Sequence, residues 1–528
     1  MKLLFSLLVA ILLCADASLN LANAQNNLPD AIRLRDYERF EAAEKIFLSL
    51  LREQPLNGNI YYHLGENYFL ADQKDSAMAL FDRGIQIAPN SPLNYAGKGK
   101  CMLFDGKVVE AKSLFDKSTT VAGPKEYLHL LEIAEAYMEA PAKNAPEAMA
   151  LLEQAGKLAP EDPKSLMLKG DCYLLMADGN KAIELYKKAK EKNGNKPLIL
   201  VREGLLYSRS KNYTLAVEKY LEAIQTDSTF APAYVELGEV YYRSKQFEKA
   251  NQQYRTYLRL SGNQTQAKIK YAKSLFRSEN YTETIQEIDE IQKVDSSSNN
   301  LNRLLAYSLF EAGNYTRCLS SINNYLRRAP ADKSTVIGKD YAYRAKALSK
   351  LGKDSLAISD FILAIETDTS DSEVLSDLAD TYFKLKNYSG CIGALKQKEN
   401  TSKLGNNDLY KLGRAYYFQK EFSSADTTFG RLIALAPSFD QGYFWRARAN
   451  AQLDPESKTG QALPYYQTYT TKVADPAKAA KNLVEAYSYI GAYYFQTKEK
   501  ELSKAAWLKV MEIEPENKKA KAALDAIK

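Results

Sequence analysis

Histidine is almost missing from this chain: 528 residues carry two, His63 and His129, with five cysteines beside them. That scarcity leaves little material for a metal centre, because zinc, copper and iron sites draw heavily on those two residue types. The usual marks of catalysis are missing too. No glycine-rich loop precedes a phosphate-loop Lys, and His-Glu-x-x-His, Gly-x-Ser-x-Gly and Cys-x-x-Cys do not occur. His63 and His129 have no clustered second ligand, so each reads as a packed or surface imidazole. No metal, no cofactor and no enzymatic activity are expected. Charge of one sign is also in short supply: Lys+Arg 71 against Asp+Glu 65 gives +6, too mild an excess to point to nucleic acid.

Long apolar runs are missing with one exception. Met1-Lys2 is followed by "LLFSLLVAILLCA", then by "ANAQ", where Ala22 and Ala24 frame a cleavage point before Gln25. A short apolar core ending in small residues is the pattern of a secretory signal peptide, here residues 1–24, so the mature chain is expected in the periplasm or secreted. Cys14 follows Leu12 and Leu13, where a lipid-anchor signal needs small residues, which argues against a lipid anchor at Cys14. No later run approaches the ~20 residues that cross a bilayer, so the mature chain is not expected to be transmembrane. Cleavage leaves Cys101, Cys172, Cys318 and Cys391, far apart in sequence.

What the chain has in abundance is a period. "YYHLGENYFL" at Tyr61 and "AYVELGEVYY" at Ala233 both carry Leu-Gly with Tyr three residues after the Gly, as does "DLYKLGRAYYF" at Asp408. The small residue of each copy is Ala31, Gly65, Gly99, Ala134, Gly170, Gly204, Gly238, Ala272, Ala306, Ala345, Ala379, Gly413, Ala447 and Gly491. Most successive markers are 34 residues apart; the exceptions are 35 and 36 around Ala134, 39 before Ala345 and 44 before Gly491. Those exceptions coincide with "APAKNAP" from Ala140, "DKSTVIG" from Asp332 and "LDPESKTGQALP" from Leu453, which read as loop insertions. Twelve residues after most markers comes a second small residue, such as Ala77 or Ala216, and four further on a large apolar one, such as Phe81 or Tyr220. Thr284 and Ser503 fit the second small place less well. Apolar spacing of three and four in both halves makes each unit two amphipathic helices.

Leu-Gly, Tyr, Ala, Phe and a closing Pro in a 34-residue frame resemble the tetratricopeptide repeat. The resemblance implies an all-α, right-handed superhelical solenoid of about fourteen helix-turn-helix repeats over residues 25–517, with residues 518–528 as a C-terminal capping helix. In that register Cys318 and Cys391 take the second small place, and Cys101 and Cys172 each follow a Gly marker by two. Members of each pair are two repeats apart, too far for a disulfide, so all four are expected as buried thiols.

The resemblance also implies that the first helices line a concave groove holding a protein or peptide. The groove places are taken as three before, one after and four after each marker. One after the marker stand Glu66, Glu135, Asp171 and Glu239, then Lys273, Lys346, Arg414 and Arg448, with Lys100 and Asp380 breaking the trend. Four after it stand Phe69, Tyr242, Phe276, Phe310, Phe383, Tyr417 and Phe495; Arg303 and Phe444 take the place three before. The expected partner site is therefore Tyr242, Lys273, Phe276, Arg303, Phe310, Lys346, Phe383, Arg414, Tyr417, Phe444 and Arg448. Its cations suit an acidic segment, and its rings also suit a cell-envelope glycan. The role expected is a non-catalytic scaffold or assembly factor, or alternatively a periplasmic spacer in a polysaccharide-export or secretion machine. The carboxylate-clamp pair, Lys four residues before Asn on a first helix, is not found at any marker.

Asn-Tyr-Thr stands at Asn212, Asn280 and Asn314, with Asn-Tyr-Ser at Asn387. These glycosylation sequons share one register place, the turn inside the unit, where Asn caps the second helix; at Asn280, Glu283 is expected to complete a capping box.

Overall fold

The computed structural model describes residues 27–192, 194–262, 264–294, 299–329, 336–368 and 371–527. The expected signal peptide, with Cys14, lies outside the described residues, as does most of the insertion from Asp332. Among the described residues the architecture is all-α. Fourteen helix pairs run from Leu28–Asp36 with Phe40–Glu53 to Ala480–Gln496 with Lys500–Ile513, and the single helix Lys518–Ile527 follows. No helix among them is long and apolar enough to cross a membrane.

The chain divides into two compact units, with the boundary between Ser296 and Ser297. Eight pairs fall in the first and six, plus the last helix, in the second. A reading as one uninterrupted array gives no sign of this division, because the 34-residue spacing from Ala272 to Ala306 runs straight through it. Within each unit the two helices of a pair pack together, the second helix packs on the next first helix, and first helices of successive pairs touch. Second helices of successive pairs do not pack on each other to a comparable extent. First helices therefore form the crowded inner layer of each unit.

The markers explain the close packing within a pair. A Cβ added at Gly65 would meet the Phe81 ring at 2.5 Å, at Gly99 the Phe115 ring at 2.4 Å, and at Gly204 the Tyr220 ring at 2.5 Å. Gly170, Gly238, Gly413 and Gly491 likewise face Tyr186, Tyr254, Phe429 and Trp507. Each ring stands sixteen residues after its marker, on the second helix. Where the marker is Ala272, Ala306 or Ala379, the residue sixteen on is the slimmer Ile288, Ile322 or Leu395, whereas Ala31 and Ala345 keep buried Phe47 and Phe361 at that place. Thr284 and Ser503 are both fully buried, and their hydroxyls donate to the carbonyls of Asn280 at 2.9 Å and Gly491 at 2.8 Å. A helix can bury a hydroxyl there because a carbonyl takes it up. Cys101, Cys172, Cys318 and Cys391 are buried free thiols.

Asn212, Asn314 and Asn387 cap their second helices, each side-chain oxygen accepting from the backbone N–H three residues on, at 3.3, 3.2 and 2.9 Å. The capping box expected at Asn280 does not form. Glu283 accepts from the Tyr271 hydroxyl at 2.7 Å and Arg255 at 2.9 Å, while Asn280 donates to Ser278 and Glu248. A tyrosine and a guanidinium across the pair compete better for that carboxylate than a single backbone N–H.

The first unit curls until its first pair meets its later ones. The Tyr37 hydroxyl donates to Asp227 at 2.6 Å, and its ring stands edge-on to Phe230 at 5.0 Å. Tyr257 donates to the Glu38 carboxylate at 2.5 Å, and Gln264 to the Glu38 carbonyl at 3.0 Å. These bonds join residues 190 to 226 apart in sequence.

Candidate functional site

Four of the ten charges one after the marker are answered by a charge thirty-one residues on, two before the next marker. Asp171 meets Arg202 at 3.0 Å, Glu239 meets Lys270 at 3.3 Å, Lys346 meets Asp377 at 3.0 Å, and Asp380 pairs with Lys411. The two places lie one turn apart on a helix face, so side chains of adjacent first helices meet across the layer. Arg448 grips Glu485 with two nitrogens, its Nε at 2.7 Å, and Arg303 meets the buried Asp340 at 2.8 Å and stacks on Tyr325 at 4.5 Å. Three of the five cations expected to hold an acidic segment, Arg303, Lys346 and Arg448, are thus already paired with acids of this chain.

Arg414 differs. The residue thirty-one on is Trp445, and the guanidinium lies 5.0 Å from that ring, 4.9 Å from Phe383, 5.3 Å from Tyr410 and 5.9 Å from Phe418. Among the described residues it has no ion-pair acid, and its Nε has no hydrogen-bond acceptor. Beside it Phe418 is 39 % exposed and stacks on Tyr388 at 5.0 Å. Lys273, in the first unit, is exposed.

The expected aromatic lining is corrected in part. Tyr242, Phe276, Phe310, Phe383 and Tyr417 are half-buried, and each ring meets the ring that opens the following helix, at 5.4 to 5.7 Å. They clasp the two helices of their own pair before they offer a face to anything else. Phe444 is 1 % exposed and packs on Tyr469 at 4.9 Å, so it belongs to the core. The place three before the marker generally points between helices, as buried Tyr62, Leu131, Val201 and Ala342 show.

The interior of the first unit carries a second constellation. A cavity of about 410 Å³ is walled by first helices of the early pairs and by the segment entering the sixth. Lys100 reaches Glu66 at 3.2 Å and Glu139 at 3.4 Å; Lys164 reaches Glu132 at 2.7 Å and Glu135 at 3.9 Å. Arg35 meets Asp36 at 2.9 Å and His63 Nδ1 at 3.2 Å. Burial, and then the Arg35 charge, push His63 down to about 3, which keeps it neutral. Burial raises Glu66 and Glu139 above the usual carboxylate range. For Glu132 burial acts the same way, yet Lys164 and the Tyr62 hydroxyl overcome it and hold this group at about 2. His129 is buried as a packing residue.

Glu66, Glu135 and Asp171 do face this interior, and Lys100, which breaks the acidic run in sequence, sits between two of its carboxylates. Arg35, His63, Glu132, Glu139, Lys164 and Arg202 are absent from the sequence-derived groove. The place two before the marker would have found His63, Glu132 and Arg202, and Arg35 stands four after Ala31, at a groove place where attention went to the rings; Glu139 and Lys164 lie at helix ends, where no fixed place signals them.

The tetratricopeptide repeat profile matches residues 28–92, 231–264 and 409–438. A solved structure of the C-terminal part of a tetratricopeptide repeat-containing protein from Cytophaga hutchinsonii is 32% identical over 48% of this chain and 98% of its own, with a TM-score of 0.43. A tetratricopeptide repeat protein from Parabacteroides merdae is 18% identical over 48% of this chain and 98% of its own (TM-score 0.34). The PilF protein of Pseudomonas aeruginosa is 18% identical over 40% and 93% (TM-score 0.34). No curated protein matches the chain.

Proposed function

We propose that this chain, which belongs to the tetratricopeptide repeat family, is a non-catalytic scaffold that takes an acidic segment of a protein partner on the first-helix face of its second unit. Tetratricopeptide arrays serve generally in protein–protein interaction, and that much places the chain among binding scaffolds. The observation that supports the finer reading is Arg414. Its neighbours along the face are neutralised within the chain, whereas its guanidinium rests on four rings without an acid. A carboxylate of an incoming segment would complete the cation's hydrogen bonds, and apolar side chains of that segment would cover Phe418. The signal-peptide pattern of residues 1–24 supports an exported setting.

A photo-crosslinking residue at position 418, used in the native cells, tests the site. The expected crosslinked product carries Asp or Glu beside the crosslink, and Arg414→Glu abolishes it while Lys350→Glu does not. Unchanged crosslinking in Arg414→Glu overturns the reading.

A further inference from the structure

We propose that the interior of the first unit is a binding site for an organic cation, a primary ammonium on a short hydrocarbon stem. The case begins with charge. Around the cavity Arg35 is committed to Asp36 and Arg202 to Asp171. Four carboxylates remain, Glu66, Glu139, Glu132 and Glu135, and they share two ammonium groups, those of Lys100 and Lys164. Arg202 also lines the cavity, so its wall carries five carboxylates, those four and Asp36, against four cations, Arg35, Lys100, Lys164 and Arg202, an excess of one negative charge that is least screened at the buried Glu66.

A second observation shows where a ligand group belongs. Glu66 is 4 % exposed and lines the cavity; its Oε2 takes Lys100, and its Oε1 has no hydrogen-bond partner among the described residues. A buried carboxylate oxygen left without a donor is costly, so a donor supplied from outside is bound with that gain. Burial raises the proton affinity of Glu66 and Glu139, although Lys100 opposes the shift at both. Leu93, Met167, Leu198 and Ile199 add apolar wall beside these acids, which suits a methylene stem and not a bare inorganic cation. About 410 Å³ is within the usual range for a small-molecule site. This site shares no residue with the Arg414 face, and it selects the opposite charge.

Such an ammonium comes either from a free diamine or from a lysine side chain of a protein. Isothermal titration calorimetry of the whole chain separates them, with 1,4-diaminobutane, the end-blocked tripeptide Ala-Lys-Ala and butan-1-ol as probes. At least one ammonium probe is expected to bind with Kd below about 1 mM while butan-1-ol gives no heat. The tighter ammonium probe identifies the source. Glu66→Gln should weaken binding by about tenfold or more, the loss of one charged hydrogen bond. Should that variant fail to fold by circular dichroism, Glu135→Gln, at the more open edge, should still weaken binding measurably. Absence of binding by both ammonium probes, equal binding of butan-1-ol, or unchanged affinity in the folded variants overturns the proposal.

Discussion

At the scale of single residues, the Gly markers and the rings that face them are one feature in two places. Gly204 illustrates it, since any Cβ there enters the Tyr220 ring at 2.5 Å. Gly204→Ala should destabilise the first unit by about 1–3 kcal/mol, the usual cost of overpacking. Adding Tyr220→Leu should recover part of that loss, because Ala379 with Leu395 is the same pair in another copy; urea unfolding of the two single variants and the double tests the coupling. The marker and the ring were both legible in the sequence, but Ala31 with Phe47 and Ala345 with Phe361 show that ring and methyl can coexist. Only coordinates could show that the Tyr220 ring fills the space at Gly204. His63 shows a different limit. Nothing in the sequence says that its half-buried ring lies beside Arg35 and is held neutral, with a folded-state value of about 3 against an ordinary 6.5. Protons then bind the unfolded chain more readily, so stability falls as pH drops from about 6.5 toward 3. Glu66 and Glu139, raised by burial, act in the opposite sense and are common to both proteins compared. His63→Gln should therefore lose less melting temperature than the wild type between pH 6.5 and 5, and an equal loss in the two would refute the assignment.

At the scale of the element, twelve of the fourteen turns inside a pair carry a left-handed residue seven after the marker, the exceptions being Pro141 and Asp454 where loops are inserted after Ala134 and Ala447. Gly fills it at Gly106, Gly313 and Gly352, but Glu38, Asp72, Ala177, Lys211, Lys245, Glu279, Lys386, Lys420 and Lys498 occupy it with positive φ. A Cβ in that conformation costs about 1 kcal/mol, which Gly avoids. Lys420→Gly, with φ of 64° in the parent, should raise the melting temperature of the second unit, as differential scanning calorimetry would record. The Asn caps that open the second helices were readable from spacing, since a side chain bonding three residues ahead is a local event. Glu283 was not, because its acceptors are filled by Tyr271 and Arg255 from neighbouring helices. The same division explains the groove. Arg303, Lys346 and Arg448 were found as cations on first helices, yet their acids, Asp340, Asp377 and Glu485, stand thirty-one or thirty-seven residues away. A spacing written for one helix does not show a bond to the next.

At the scale of the whole molecule, each unit is held by contacts between successive pairs, so stability is spread along it and local opening is possible without global unfolding. The first unit has an added closure at Tyr37 and Glu38. Tyr37→Phe removes the bond to Asp227 while keeping the ring on Phe230. Amide hydrogen exchange should then quicken over residues 227–230, with the helices of the third and fourth pairs unaffected; uniform quickening through the unit would mean that the closure supports the entire stack. By itself the sequence determined the repeat unit, its length, its register, its helix caps and the fold class, because each rests on spacing within about 34 residues and on side-chain size. Tertiary structure alone decided the division into two units, the pairing of most groove charges, the exception at Arg414 and the walled acidic interior of the first unit. Those depend on which side chains of different repeats come within a few ångströms, and a period that treats all copies alike carries no record of that.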